Sequence, residues 1–154
     1  MQLTVDQVER RVPVTILAIH GDLDASNYEL VIAKARELYT AGVRHLLIDC
    51  SDIPFMGSSG VVAIHSIALL MRGETPPDPA AGWQAIHSIE RARADGMQQQ
   101  VKLLSPQPKV SRTLQMTSMS DFFEIHTDQQ AAIASFDSDG QNSITTQDSP
   151  TTAS

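Results

Sequence analysis

Four scarcities bound what this chain can be. It has one cysteine, Cys50, among 154 residues, so no disulfide can form within it. No Cys/His spacing points to zinc, and Cys50 reads as a small buried apolar residue in a strand. Aromatics make up 5% of the chain against 42% hydrophobic residues, so the core must be mostly aliphatic. Basic residues number 11 against 18 acidic ones, the net charge is −7, and Lys and Arg form no run. That balance argues against nucleic acid and against anionic membrane surfaces as partners. The longest apolar helix candidate, Gly60 to Met71, is too short to span a bilayer. The N-terminal MQLTVDQVERR has none of the marks of a signal peptide, and the expected location is the cytosol. The length fits one domain.

What is present is organised around Asp49 to Met71, DCSDIPFMGSSGVVAIHSIALLM. The apolar run His45 to Cys50 reads as a buried strand, and a polar break precedes Gly57-Ser58-Ser59-Gly60. From Val61, apolar residues recur at helical spacing. The pattern is strand, tight turn, and a helix with two serines in its first turn. Three readings compete for those serines. They cap the helix; they form a nucleophile elbow; or one of them takes a phosphate, which the free N–H groups and dipole of a helix start would hold. The elbow needs Gly-x-Ser-x-Gly, and Met56 and Val61 stand where glycines are required.

In chain order, Leu3 to Val8 alternates as a strand and Pro13 limits it. Val14 to His20 is a stronger strand, apolar on both faces and therefore central. Gly21-Asp22-Leu23-Asp24 makes a turn. Ser26 and Glu29 have capping-box spacing for a helix that Gly42 ends. With the Leu46–Cys50 strand this makes a right-handed strand–helix–strand crossover. After the serine helix, Arg72 to Gly82 carries three prolines and no periodicity. Trp83, Ile86 and Ile89 imply a short helix ending at Gly96. Val101 to Leu104 is a strand, Val110 to Met116 a short helix, and Phe122 to Ile125 a last strand. A helix capped by Thr127 follows. From Asp137 to Ser154 the chain is polar, rich in Ser and Thr, and expected to be disordered. The five histidines, His20, His45, His65, His87 and His126, have no ligand spacing, and no metal or cofactor is implied.

This order of elements resembles the STAS domain family, the sulfate-transporter and anti-sigma-factor-antagonist domain. The resemblance rests on the strand ending in Gly21-Asp-Leu-Asp24, on Leu46-Leu-Ile-Asp-Cys50, and on Ile53-Pro-Phe-Met-Gly-Ser-Ser-Gly60. Val101-Lys-Leu-Leu-Ser-Pro106 and Phe123-Glu-Ile125 with its helix add to it, so that residues 3 to 136 are covered. The resemblance implies an α/β fold, a small mixed sheet with helices packed mainly on one side. It implies no enzyme but a binding module for an anti-sigma factor that is also a serine kinase. That kinase phosphorylates the serine at the helix start and so breaks the complex; a serine phosphatase reverses the step. The matching serine is Ser58, with Ser59 the alternative. Asp22, Asp24, Met56, Gly57, Ser58, Ser59 and Gly60 are the expected partner-binding set. Asp22 and Asp24 also read as turn-shaping residues. Two departures stand out. Gly57 occupies the place where the family has Asp, and an apparent Pro-rich insertion runs over 73–88. Both fit a competing reading, a STAS scaffold that is never phosphorylated or an accessory subunit of a signalling or membrane transport complex.

Overall fold

The computed structural model describes residues 1–74 and 98–144, the side chains through Asp137. Most of the expected insertion, the Trp83 helix and residues 145–154 of the expected tail lie outside the described residues. Among the described residues, five strands form one sheet in the order β1-β2-β3-β4-β5. Strand β1 (Gln2–Val8) pairs antiparallel with β2 (Val14–His20). Strands β3 (Leu46–Asp49), β4 (Gln98–Leu104) and β5 (Phe123–His126) continue it in parallel. Among the described residues, four α-helices accompany the sheet: α1 (Tyr28–Thr40), α2 (Ser58–Met71), α3 (Pro108–Met116) and α4 (Gln129–Ile144).

The alternation along each strand decides which helix lies on which face. Leu17, Ile19, Leu46, Ile48, Val101 and Leu103 point to one side. There they meet Val31 and Ala35 of α1, Ile64 and Ile67 of α2, and Val110 and Leu114 of α3. Val14, Ile16, Leu47 and Leu104 point to the other side, where Ala132, Ile133 and Phe136 of α4 cover them. Three helices against one is the one-sided mixed sheet that the resemblance implied. Both faces of β2 and β3 are buried, which explains their near-continuous apolar sequences.

The helix starts differ from the sequence expectation. Helix α1 begins after Asn27, not Ser26. The Asp24 carboxylate accepts from both the Ser26 amide (2.9 Å) and hydroxyl (2.6 Å), so that hydroxyl serves the turn and not the helix. Helix α4 is capped by Asp128, whose carboxylate accepts from the Ala131 amide at 2.9 Å, and not by Thr127. Nor does this helix stop at the polar stretch. It continues to Ile144, and Asp137 accepts from Arg10 (2.6 and 3.0 Å) and from the Val12 amide (3.3 Å). Asp137 thus ties the helix to the β1–β2 turn.

Under α4 lies a residue that periodicity did not reveal. Lys102 of β4 is fully buried, its ammonium 2.9 Å from Ser135 Oγ, 3.2 Å from Glu124 Oε1 and 4.6 Å above the Phe136 ring.

Candidate functional site

In an open sheet of parallel strands, the loops after the carboxyl ends of the strands lie together, and ligands favour that end. Here the β2–α1 and β3–α2 turns meet there and are bonded to each other. The Leu23 amide donates to the Phe55 carbonyl and the Gly57 amide to the Leu23 carbonyl, both at 2.9 Å, a one-residue parallel bridge. Neighbouring residues on an extended segment point to opposite sides. Met56 accordingly turns inward with Leu23 and Ile53, while Phe55 turns outward and stays 47% exposed.

The serines follow at once. Gly57 is the N-cap residue of α2, its carbonyl accepting from the Gly60 (3.0 Å) and Val61 (3.3 Å) amides. Neither serine caps the helix, so the first of the three readings falls. Ser58 is exposed, Ser59 half-buried, and no hydroxyl or amide of either is hydrogen-bonded among the described residues. Two free amide donors and the positive end of a helix dipole therefore surround an exposed hydroxyl. Gly60 has a steric role. A Cβ there would sit 2.6 Å from Met56 Cγ and 3.1 Å from the Leu23 carbonyl oxygen. Gly57 has no such constraint. Its backbone is extended (φ −85°, ψ −178°), and a Cβ would meet the Phe55 ring at an ordinary 3.5 Å.

Two expected contact residues are thereby corrected. Met56 is 1% exposed, and its side chain belongs to the core; only its carbonyl faces another element, at 3.4 Å from Thr113 Oγ1 of α3. Gly60 is also buried, and its part is to let the two turns close. Asp22 is exposed, and its carboxylate makes no hydrogen bond among the described residues. Asp24 is tied into the turn, where the Ser26 hydroxyl and then the Ser26 amide hold its carboxyl below the usual range. Its Cβ lies 4.0 Å from where a Gly57 Cβ would stand, while its carboxylate stays bonded to Ser26.

The bracing of the serine loop was not visible in the sequence. His20 Nδ1 lies 2.8 Å from Asp52 Oδ2, and the Gly21 amide donates to the Asp52 carbonyl at 3.0 Å. On the other flank, Gln107 Nε2 donates to the Ser51 carbonyl at 2.8 Å. These pairs join residues distant in the chain and of ordinary polar type, so no local pattern marks them. His65, in the middle of α2, is buried beside Phe122 (ring centroids 6.2 Å apart). Burial, and secondarily the Arg72 charge, push its imidazole down to about 4. Among the described residues no His, Cys, Asp and Glu group could hold a metal ion, and no helix is long and apolar enough to cross a membrane.

Residues 6–73 match the STAS domain family. No curated protein sequence matches the chain significantly. Among solved structures, the chain is similar to a candidate anti-sigma factor antagonist from Thermotoga maritima. The identity is 17%, the TM-score 0.62, and the match covers 86% of this chain and 94% of that one. An anti-sigma factor antagonist from Mycobacterium paratuberculosis is similar at 14% identity and a TM-score of 0.59, over 88% of this chain and 95% of that one. A variant of RsbS from Moorella thermoacetica is similar at 17% identity and a TM-score of 0.55, over 89% of this chain and 97% of that one. At such identities the likeness is one of fold. The sequence match to the STAS domain contains both bonded turns and all of α2, and the fold shared with those structures continues it through β4, β5 and the helices around them.

Proposed function

We propose that this STAS domain is a regulatory protein-binding module of the anti-sigma-factor-antagonist type, switched by phosphorylation of Ser58. One observation carries the reading: Ser58 is exposed in the first turn of α2, beside free amide donors, on a platform made of two bonded turns. The partner is an anti-sigma factor with serine kinase activity, bound over Asp22, Phe55, Gly57, Ser58 and Ser59. A phosphate adds about −1.5 to −2 charges and three acceptor oxygens. In a bound interface those charges would lose water without gaining a cation, beside Asp22 and Asp24, and the complex would open. The same site is then reset by a serine phosphatase. A second reading, a scaffold that is never phosphorylated, draws on the absence of an acidic residue in the first turn of α2.

The test mixes the protein with the serine kinase encoded in its own genome and ATP, and locates phosphate by mass spectrometry. One phosphate on Ser58, abolished in Ser58→Ala without loss of binding, is the expected result. Ser58→Asp should weaken binding less than phosphate does, since it carries less charge. Phosphate confined to Ser59 or to the Ser/Thr-rich C-terminal stretch overturns the assignment. Binding without any phosphate favours the scaffold.

A further inference from the structure

Beyond the switch, we propose that the edge of β1, which pairs with no strand but β2 among the described residues, is a homodimer interface, in which β1 pairs antiparallel with β1 of a second copy and α1 packs against α1. Sheet edges in soluble proteins are defended by short strands, lysines, prolines or bulges. β1 has none of these. It has seven residues, QLTVDQV, pairs with β2 in unbroken register, and carries one charge, Asp6. The opposite edge, β5, has four residues. Beside the β1 edge runs a shallow groove walled by Met1, Leu3, Leu30, Ala33, Lys34 and Glu37. Leu30 is 62% and Met1 45% exposed there, two of the four large apolar side chains left exposed among the described residues.

The chemistry of this face is complementary to itself, which is what a two-fold interface requires. A two-fold axis through Val5 pairs Val5 with Val5, Leu3 with Gln7 and Thr4 with Asp6. An axis through Thr4 pairs Leu3 with Val5 and Gln2 with Asp6. Neither sets Asp6 against itself. The axis also makes the two α1 helices antiparallel. Lys34 and Glu37, 2.7 Å apart within one chain, can then alternate with Glu37 and Lys34 of the second copy as a four-charge row. Leu30 of each copy is covered at either end of that row. The interface lies along the side of the sheet and leaves the Ser58 end of both copies open.

The full chain is followed by sedimentation velocity from about 1 to 200 μM. The expected result is a mass that rises from one chain to two. Glu37→Lys lines up like charges across the axis and should raise the dissociation constant about tenfold or more. The double variant Lys34→Glu/Glu37→Lys exchanges the signs and should restore the dimer. The Lys34–Glu37 pair is exposed and contributes little to folding, so an unchanged Tm certifies each variant. Leu30→Glu, also on the surface, should dissociate the dimer independently. A single-chain mass across the whole range overturns the proposal. So does a dimer that neither Glu37→Lys nor Leu30→Glu weakens, or one that the double variant fails to restore.

Discussion

At Gly60 and Gly57, two glycines three residues apart in one turn answer to different constraints. Gly60→Ala places a methyl group 2.6 Å from Met56 Cγ and against the Leu23 carbonyl, so the bonded turns must separate. Overpacking of this kind costs about 1–3 kcal/mol, and urea denaturation should show that loss. Gly57→Asp should leave the midpoint nearly unchanged, because backbone and space both accept a side chain. If a missing carboxylate limits the kinase, the same substitution should speed phosphorylation of Ser58. His65 sets a second test. Its folded value is about 4 against 6.5 for the free side chain. Between those values the unfolded chain takes up a proton that the folded chain refuses, so stability is lost as pH falls through 6.5 toward 4. The full window corresponds to about 3 kcal/mol. His65→Leu removes the titrating group, and the difference in urea midpoint between pH 6.5 and pH 4 should shrink. An unchanged difference would place the acid sensitivity elsewhere.

The elements depend on α4 in unequal ways. Among the described residues, helices α1, α2 and α3 share one large core with the sheet, whereas α4 covers the other face with Ala132, Ile133 and Phe136. Its seat contains the buried Lys102, compensated by Glu124 and Ser135. Removing one member of a buried pair leaves the other charge uncompensated, whereas replacing the charge by an apolar group of similar volume is often neutral or stabilising. Glu124→Ala should therefore destabilise the fold, though by less than the ~3 kcal/mol of a fully buried pair, because Glu124 is 31% exposed and Lys102 keeps its bond to Ser135. Lys102→Met should keep or raise stability, with the side chain still filling the space beside Phe136. Equal losses in the two variants, measured by thermal denaturation, would mean that the ammonium contributes through more than its pairing with Glu124. The middle of the helix is held more lightly, by the Arg10–Asp137 pair, whose side chains are 40% and 23% exposed.

For the whole molecule, patterns with a period were legible and pairings across the chain were not. The alternation of Val14 to His20, the run at Leu46 and the helical spacing after Gly60 carry the sheet, the crossover and the place of Ser58. The caps at Asn27 and Asp128 were missed because a neighbouring carboxylate outcompeted the expected hydroxyl at Ser26, and Asp128 offered an acceptor one residue beyond Thr127. The inward turn of Met56 and outward turn of Phe55 follow from a bridge to Leu23, more than thirty positions away in the chain. A buried Lys102 contradicts composition alone, since partners distant in the chain, Glu124 and Ser135 among them, make the burial tolerable. That same bridge has a thermodynamic consequence for recognition. Loops that must be frozen on association subtract their lost freedom from the affinity. Here the Asp22 turn and the serine turn are already fastened to each other, to β2 through His20 and to the β4–α3 connection through Gln107. A partner meets them in their final shape, and little of its contact energy is consumed in ordering them. Tight association through a small patch is then attainable, and under the proposed phosphorylation of Ser58 so is its abrupt reversal, because a rigid surface cannot bend away to make room for two added charges.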